Sequence, residues 1–202
     1  MRPGTFERVY AAIKAQLHSG QFRPGHRLEP AVLSDELNAS VTPVRDALHR
    51  LTGERLVEAP RHEGFRVPLL TENSLRHLYA WHRDLLLMAI ASHQTFERAS
   101  KATADQGSGA AYLRQNSLFL SFARATGNPE HVLALEGLIE RLGPLKRFES
   151  DLLDALEEET AEILQALSSQ DRKALRRALL RYHRRRMRIV PELLDQLYQG
   201  PD

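Results

Sequence analysis

The stretch Ser40–Val67, SVTPVRDALHRLTGERLVEAPRHEGFRV, puts Thr-Pro at a helix start, follows it with an apolar stripe, and ends in short alternating segments around a glycine. Thr42 reads as a helix N-cap and Pro43 as the first helical residue, where the missing N–H is no loss. Val44, Ala47, Leu48 and Leu51 then define one buried face. Burying that face turns Arg45, His49 and the helix N-terminus outward together. An exposed helix N-terminus offers N–H groups and a dipole to an anion, Arg45 can reach a phosphate or a base edge, and the helix diameter matches the DNA major groove. RLVEAP and FRVPLL, on either side of RHEG, read as a two-stranded hairpin. TPVR alone would equally suit a small capped helix with a solvated Arg, so the flanking sequence decides.

Upstream, Phe6, Val9, Tyr10, Ile13 and Leu17 recur at helical spacing, and SGQFRPGHRL stops that helix with Gly and Pro. EPAVLSDEL predicts a short second helix from about Pro30, with Val32, Leu33 and Leu37 inward, and NAS makes the turn into the third. Three helices and a wing are the geometry of winged helix-turn-helix DNA readers.

Composition narrows the classes. A chain of 202 residues, 42% hydrophobic, can bury one good core or two modest ones divided near a third of its length. With no Cys there is neither a disulfide framework nor a thiolate metal site. No run approaches the roughly 20 apolar residues of a membrane span, and MRPGTFERVY lacks the apolar core of a signal peptide, so a cytoplasmic protein is expected. Net charge is +2, and the whole excess lies in the first 68 residues, so any DNA contact must come from a local patch. A Gly-rich phosphate loop, His-Glu-x-x-His and a nucleophile elbow are all missing, which speaks against an enzyme.

From Leu70 to Asp202 no strand pattern is visible. Leu75, Leu78, Tyr79, Leu85, Leu86, Met88 and Ala89 predict a long helix, broken by the small, polar ASKATADQGSGAAY. YLRQNSLFLSFARATGNP, EHVLALEGLIERLGPLKRF, DLLDALEEETAEILQAL and DRKALRRALLRYHRRRMRIVPELLDQLY supply the rest. The fold class is mostly α: a winged helix-turn-helix over residues 1–69, then an all-α antiparallel helical bundle over 70–202. RYHRRRMR fans round its helix and reads as a solvated face, while Trp81 and Met88 suit the core or a dimer interface.

Residues 6–68 resemble the GntR-type winged helix, through SGQFRPGHRL, LSDEL, SVTPVRDALHRL and the closing GFRV. The resemblance implies that Ser40, Thr42 and Arg45 touch DNA, Arg45 through a base, with His49 beside them and His62 and Gly64 approaching the minor groove. Val41 stands where the family commonly has Arg, and Ala31 where it often has a basic residue. Arg23, Arg27 and Arg61 either compensate through phosphates or are solvated loop charges.

The second unit is similar to the FCD domain of the FadR-like branch, through FARATGNP and ILQALSSQDRKALRRALLRYH. Most members hold a divalent metal with one Asp and three His, completed by a carboxylate effector. Here the corresponding positions are Asn116, Leu120, Thr160 and His183, so no metal cofactor is expected, because Leu120 cannot coordinate and one imidazole does not hold a metal. An effector pocket of His82, Asn116, Thr160, His183 and Arg186 follows, with Arg83, Arg186 or His82 as the anchor for an anion. His183 has two readings, an interior histidine satisfied by its neighbours or a pocket residue. The function expected is a bacterial regulator that binds double-stranded DNA as a homodimer at a pseudo-palindromic operator and responds to a small carboxylate. The alternative is a regulator whose bundle only dimerises; an enzyme or adaptor with a borrowed winged helix is a distant third.

Overall fold

The computed structural model describes residues 4–91, 97 and 111–199. The polar break ASKATADQGSGAAY lies almost wholly outside the described residues.

The head contains α1 (Thr5–His18), β1 (Arg27–Leu28), α2 (Pro30–Glu36), α3 (Val41–Gly53) and β2 (Phe65–Arg66). Its core is a cluster of α1 and α3 residues closed by Leu28, Leu33, Leu56, Val57 and Phe65. Val44, Ala47, Leu48 and Leu51 are completely buried, so the stripe lies on α1 as its spacing requires. Burial contributes about 1.5–3 kcal/mol for each large aliphatic side chain. The turn between α2 and α3 is held from α1, where Arg8 donates to the carbonyls of Leu37 and Asn38 at 2.8 and 3.3 Å. Asn38 adopts the left-handed region at φ 48°, which Asn tolerates better than most residues.

Three local expectations are corrected. Val32 is 54% exposed rather than inward, because the seven-residue α2 covers the core through Leu33 and the partly buried Leu37. The N-cap of α3 is Ser40, not Thr42, so Pro43 is the third helical residue. Extended backbone at Ser40 and the rigid turn before it start the helix two residues early. The wing is not a simple hairpin: Phe65–Arg66 pairs antiparallel with Arg27–Leu28, and RLVEAP contributes a single bridge, Glu58 to Arg66. Two prolines, Pro60 and Pro68, limit how far that ladder extends.

The second unit is all-helical: α4 (Glu72–Ala89), α5 (Ala111–Ala125), α6 (Pro129–Leu142), a 3₁₀ turn (Gly143–Leu145), α7 (Lys146–Leu152), α8 (Leu156–Ser168), α9 (Arg172–Arg188) and α10 (Val190–Gln199). Its core is a separate cluster running from Leu75 to Leu197, and α4 is its centre, packed on α5, α6, α9 and α10. Thr71 and Ser74 form a capping box at the start of α4, and Asn128 and Asp171 cap α6 and α9 through their side chains. DLLDALEEETAEILQAL is split by Ala155 at φ 52°, and the final helix is two, divided at Ile189 just ahead of Pro191. Trp81 and Met88 are exposed, not core. No described helix is long and apolar enough to cross a membrane.

Head and bundle meet through polar ties. Lys14 is shared between Glu54 at the end of α3 and Glu140 of α6, at 3.2 Å from each, and His18 Nε2 faces Glu140 at 2.9 Å. Arg147 donates to the Ser19 carbonyl at 3.0 Å. The contact with His18, against a smaller opposing effect of burial, and the contact with Lys14 hold the Glu140 carboxyl below the usual range. A depressed carboxyl stabilises the fold fully above its unfolded titration range and loses that contribution as pH falls through its folded one. Glu140→Gln is therefore expected to cost about 0.5–1 kcal/mol near neutral pH, measured by thermal unfolding, with the difference from wild type fading as pH falls below the ordinary carboxylate range.

Candidate functional site

At one end of the head, Ser40, Thr42, Arg45 and His49 are all exposed along one side of α3 and its N-terminus. They are outward because the opposite face is the buried stripe. Ser40 makes no side-chain capping bond, so its hydroxyl and the first N–H groups of α3 remain presented. His49 stands edge-on to Phe65, with ring centroids 4.9 Å apart, which fixes the wing against the outer face of the helix. His62 and Gly64, both exposed, turn the wing tip with φ values of 64° and 75°. Arg66 holds the wing's two sides through Glu58 at 3.1 Å and Glu63 at 3.2 Å. Arg27 is paired with Glu29 at 2.7 Å. Val41, the first residue of α3, is an exposed apolar side chain beside these polar groups.

The C-terminal end of α3 is fixed differently. Tyr10 donates to Glu54 at 2.6 Å, Lys14 and Arg50 pair with the same carboxylate, and the Arg50 guanidinium lies 4.2 Å from the Tyr10 ring centre. Recognition-helix orientation is thus set by apolar burial along its length and by one shared carboxylate at its end.

Inside the bundle, the residues expected to form a pocket are differently arranged. His82, Thr160, His183 and Arg186 are buried, but Asn116 is only half-buried. The inward face of α5 carries Gln115, Leu118, Phe119 and Phe122, one position earlier than the Asn116 and Leu120 register. Leu120 lies instead along a groove with Trp81 and Leu133. Gln115 donates to Thr160 at 2.8 Å, and Phe119 stands edge-on to His82 and Tyr182.

His183 Nδ1 lies 2.7 Å from the Leu179 carbonyl, which can only accept, so that nitrogen carries the proton. Its Nε2 then accepts from His82 Nδ1 at 2.9 Å. Burial, with Arg186, Arg83 and Lys146 adding to it against the Leu179 bond, pushes His183 down to about 3. Burial followed by His183, Lys146 and Arg186 likewise drives His82 well below its ordinary value. Both imidazoles are neutral at neutral pH, and the lone pair of His183 Nε2 is engaged. The donor set does not fit a metal: an engaged imidazole, an amide and a hydroxyl are poor substitutes for a carboxylate and three free imidazoles. Among the described residues no group of three or more His, Asp or Glu side chains could hold one.

Arg186 is fully spoken for. Its Nε donates to Glu149 at 2.9 Å, its Nη1 bridges to Glu159 at 2.9 Å, and the guanidinium stacks 3.4 Å above the Tyr182 ring. Lys146 binds both Glu149 oxygens at 3.0 Å, and Tyr79 donates to the same carboxylate at 2.8 Å. Burial raises the Glu149 carboxyl, but Lys146 and Arg186 outweigh it and hold the group below the usual range. Three cations, Lys146, Arg186 and the half-buried Arg185 at 3.1 Å from Glu159, meet two carboxylates. Lys146, Glu149 and Glu159 escaped sequence reasoning; their one signal is that charged residues fall on otherwise inward helix positions, as in LKRFES.

Residues 5–67 match the GntR family of bacterial regulatory proteins. Over 186 residues, 83% of this chain and 84% of the relative, the protein is 26% identical to the HTH-type transcriptional regulator McbR of Escherichia coli. Over 61 residues, 30% of this chain and 29% of the relative, it is 41% identical to the Nta operon transcriptional regulator of Aminobacter aminovorans. The solved structure of E. coli McbR/YncC superposes with a TM-score of 0.69 at 23% identity, covering 95% of this chain and 99% of that one. A GntR regulator from Rhodococcus sp. RHA1 gives 0.67 at 17% identity, covering 98% and 99%. At these identities the superpositions speak for the fold: a winged helix followed by an all-helical domain. Fold, exposed recognition helix and relatives agree that residues 5–67 belong to the GntR family and that the chain is a DNA-binding transcriptional regulator of that family.

Proposed function

We propose that the protein acts in the cytoplasm as a homodimer reading a pseudo-palindromic operator, one winged head per half-site, and responds to a small carboxylate effector without a bound metal. The observation that carries this reading is the outward grouping of Ser40, Thr42, Arg45 and His49 on a helix locked to its wing. Phosphates sit at the Ser40–Thr42 end, Arg45 reads a base edge, and His62 and Gly64 reach the adjacent minor groove. Two-fold symmetry doubles the few base contacts available to each head and sets half-site spacing. Residues 1–69 form the head in this reading, and 70–202 an FCD-like domain for dimerisation and sensing.

A second reading, in which the bundle only dimerises, is favoured by one observation: Arg186 and Lys146, the interior cations an effector would need, are already neutralised by Glu149 and Glu159.

Selection of fragments from random DNA at physiological salt, where non-specific phosphate binding is weak, is expected to enrich an inverted repeat; no enriched motif would sink the operator reading. Arg45→Ala is expected to weaken that repeat by about 1–3 kcal/mol while leaving random DNA nearly unchanged, and equal losses on both would reduce Arg45 to a phosphate contact. Glu149→Ala, by leaving Lys146 and Arg186 buried without their shared partner, is expected to destabilise the bundle by about 3–5 kcal/mol in thermal unfolding.

A further inference from the structure

Between head and bundle lies a cleft of about 620 Å³, lined from the head by residues such as Phe22 and Leu56 and from the bundle side by residues such as Leu70 and Leu197. The volume is that of a small-molecule site, and domain boundaries are where such sites concentrate. Its wall is mostly apolar, with Arg55 and Arg141 both in the lining.

Arg141 is half-buried and Arg55 exposed. Among the described residues, no carboxylate forms an ion pair with either. Nearby acids are engaged elsewhere: Glu58, the one carboxylate in the lining, by Arg66; Glu54 by Tyr10, Lys14 and Arg50; Glu140 by Lys14 and His18. Burial, and then repulsion from Arg55, lowers Arg141 below its ordinary value. Arg55 takes a left-handed φ of 60° where it closes α3, its N–H donating to the Thr52 carbonyl and that of Leu56 to Leu51. Among the described residues, the other buried and half-buried cations have acidic partners, as Lys14, Lys146 and Arg186 do, so Arg141 stands apart.

We infer that the cleft between head and bundle is a binding site for an amphipathic monoanion, with an apolar body against Phe22, Leu56, Leu70 and Leu197 and its anionic group between Arg55 and Arg141. Two guanidiniums in a half-enclosed, apolar-walled site suit a carboxylate through charge-assisted hydrogen bonds. A molecule seated there touches both units at once. The regulatory consequence, a change in how the heads are held, rests on the reading of the chain as an effector-responsive regulator.

Octanoate and 1-octanol, titrated calorimetrically into the full-length protein without DNA, test the site. Octanoate is expected to bind saturably and about tenfold or more tightly than the alcohol. Replacing Arg55→Gln and Arg141→Gln together should bring octanoate down to the level of the alcohol and leave the alcohol unchanged, whereas the two Lys replacements retain most of the affinity. Ala59→Trp, which adds bulk to the lining, should abolish both. Absence of saturable octanoate binding, undiminished binding in the double Gln variant, or undiminished binding in Ala59→Trp would each overturn the site. If thermal unfolding shows the Gln variant misfolded, the alcohol comparison and Ala59→Trp still decide. Because binding is read without DNA, failure to select an operator would remove the regulator reading and leave the cleft standing.

Discussion

Burial of a single apolar stripe, Val44, Ala47, Leu48 and Leu51, determines which way the protein meets its partner. A helix has one face to give to the core, and once these four side chains are taken by α1, the rotation of α3 about its axis is no longer free. Slipping that rotation by one residue would expose a leucine and bury Arg45 or His49 without a partner, and burying an unpaired charge costs far more than the contacts regained. The outward grouping of Arg45 and His49 is therefore a consequence of core formation, and no separate device holds it. What core burial leaves open is position along the axis. That is supplied by Arg8 at the turn before α3 and by Glu54 at its end.

Charge is handled in two contrasting ways within this chain. In the bundle interior, Lys146, Arg186, Glu149 and Glu159 are buried with opposite signs paired, an arrangement that is costly to break singly. Such a cluster specifies how α7, α8 and α9 meet more than it stabilises them, since a well-packed apolar replacement would serve stability as well. At the boundary between the units the matching is incomplete. Lys14 is shared by two carboxylates, while among the described residues Arg55 and Arg141 pair with none.

The head was largely legible in the sequence because its signals are local. Helical spacing in Phe6–Leu17 and Val44–Leu51, and Gly-Pro punctuation between them, report directly on burial and chain direction. Errors arose where a neighbour overrides the local signal: Thr42 and Pro43 resemble a cap and first turn, yet the turn held by Arg8 starts α3 at Val41. The wing strand was misassigned because Arg27–Leu28, inside a helix-stop segment, pairs across a separation that no local pattern encodes. In the bundle, helix positions were readable but the register of α5 was not. Asn116 and Gln115 are both polar, and only packing against Thr160, His82 and Tyr182 shows that Gln115 and Phe119 face inward. Glu149 and Glu159 look like ordinary surface acids until their partners on distant helices are in place.

A ligand can shift the placement of the heads only by the difference in its affinity for two placements, so a site that lies wholly within one rigid unit needs some further element to carry the change. The interior of the bundle is poorly suited to that task, because Lys146 and Arg186 already hold carboxylates and the histidines His82 and His183 are neutral and bonded to each other. The boundary between the units is better suited. Its polar ties, Lys14–Glu140, His18–Glu140 and Arg147–Ser19, are few and half-exposed, each contributing no more than about 1 kcal/mol. Lys14 also joins the bundle to Glu54, and hence to the end of the recognition helix. A ligand whose contacts depend on the approach of head to bundle by even about 1.4 kcal/mol changes the ratio of placements tenfold, against a boundary whose own preferences are of the same size. Weak coupling between two well-packed units is thus the arrangement in which a modest binding energy would suffice to move α3.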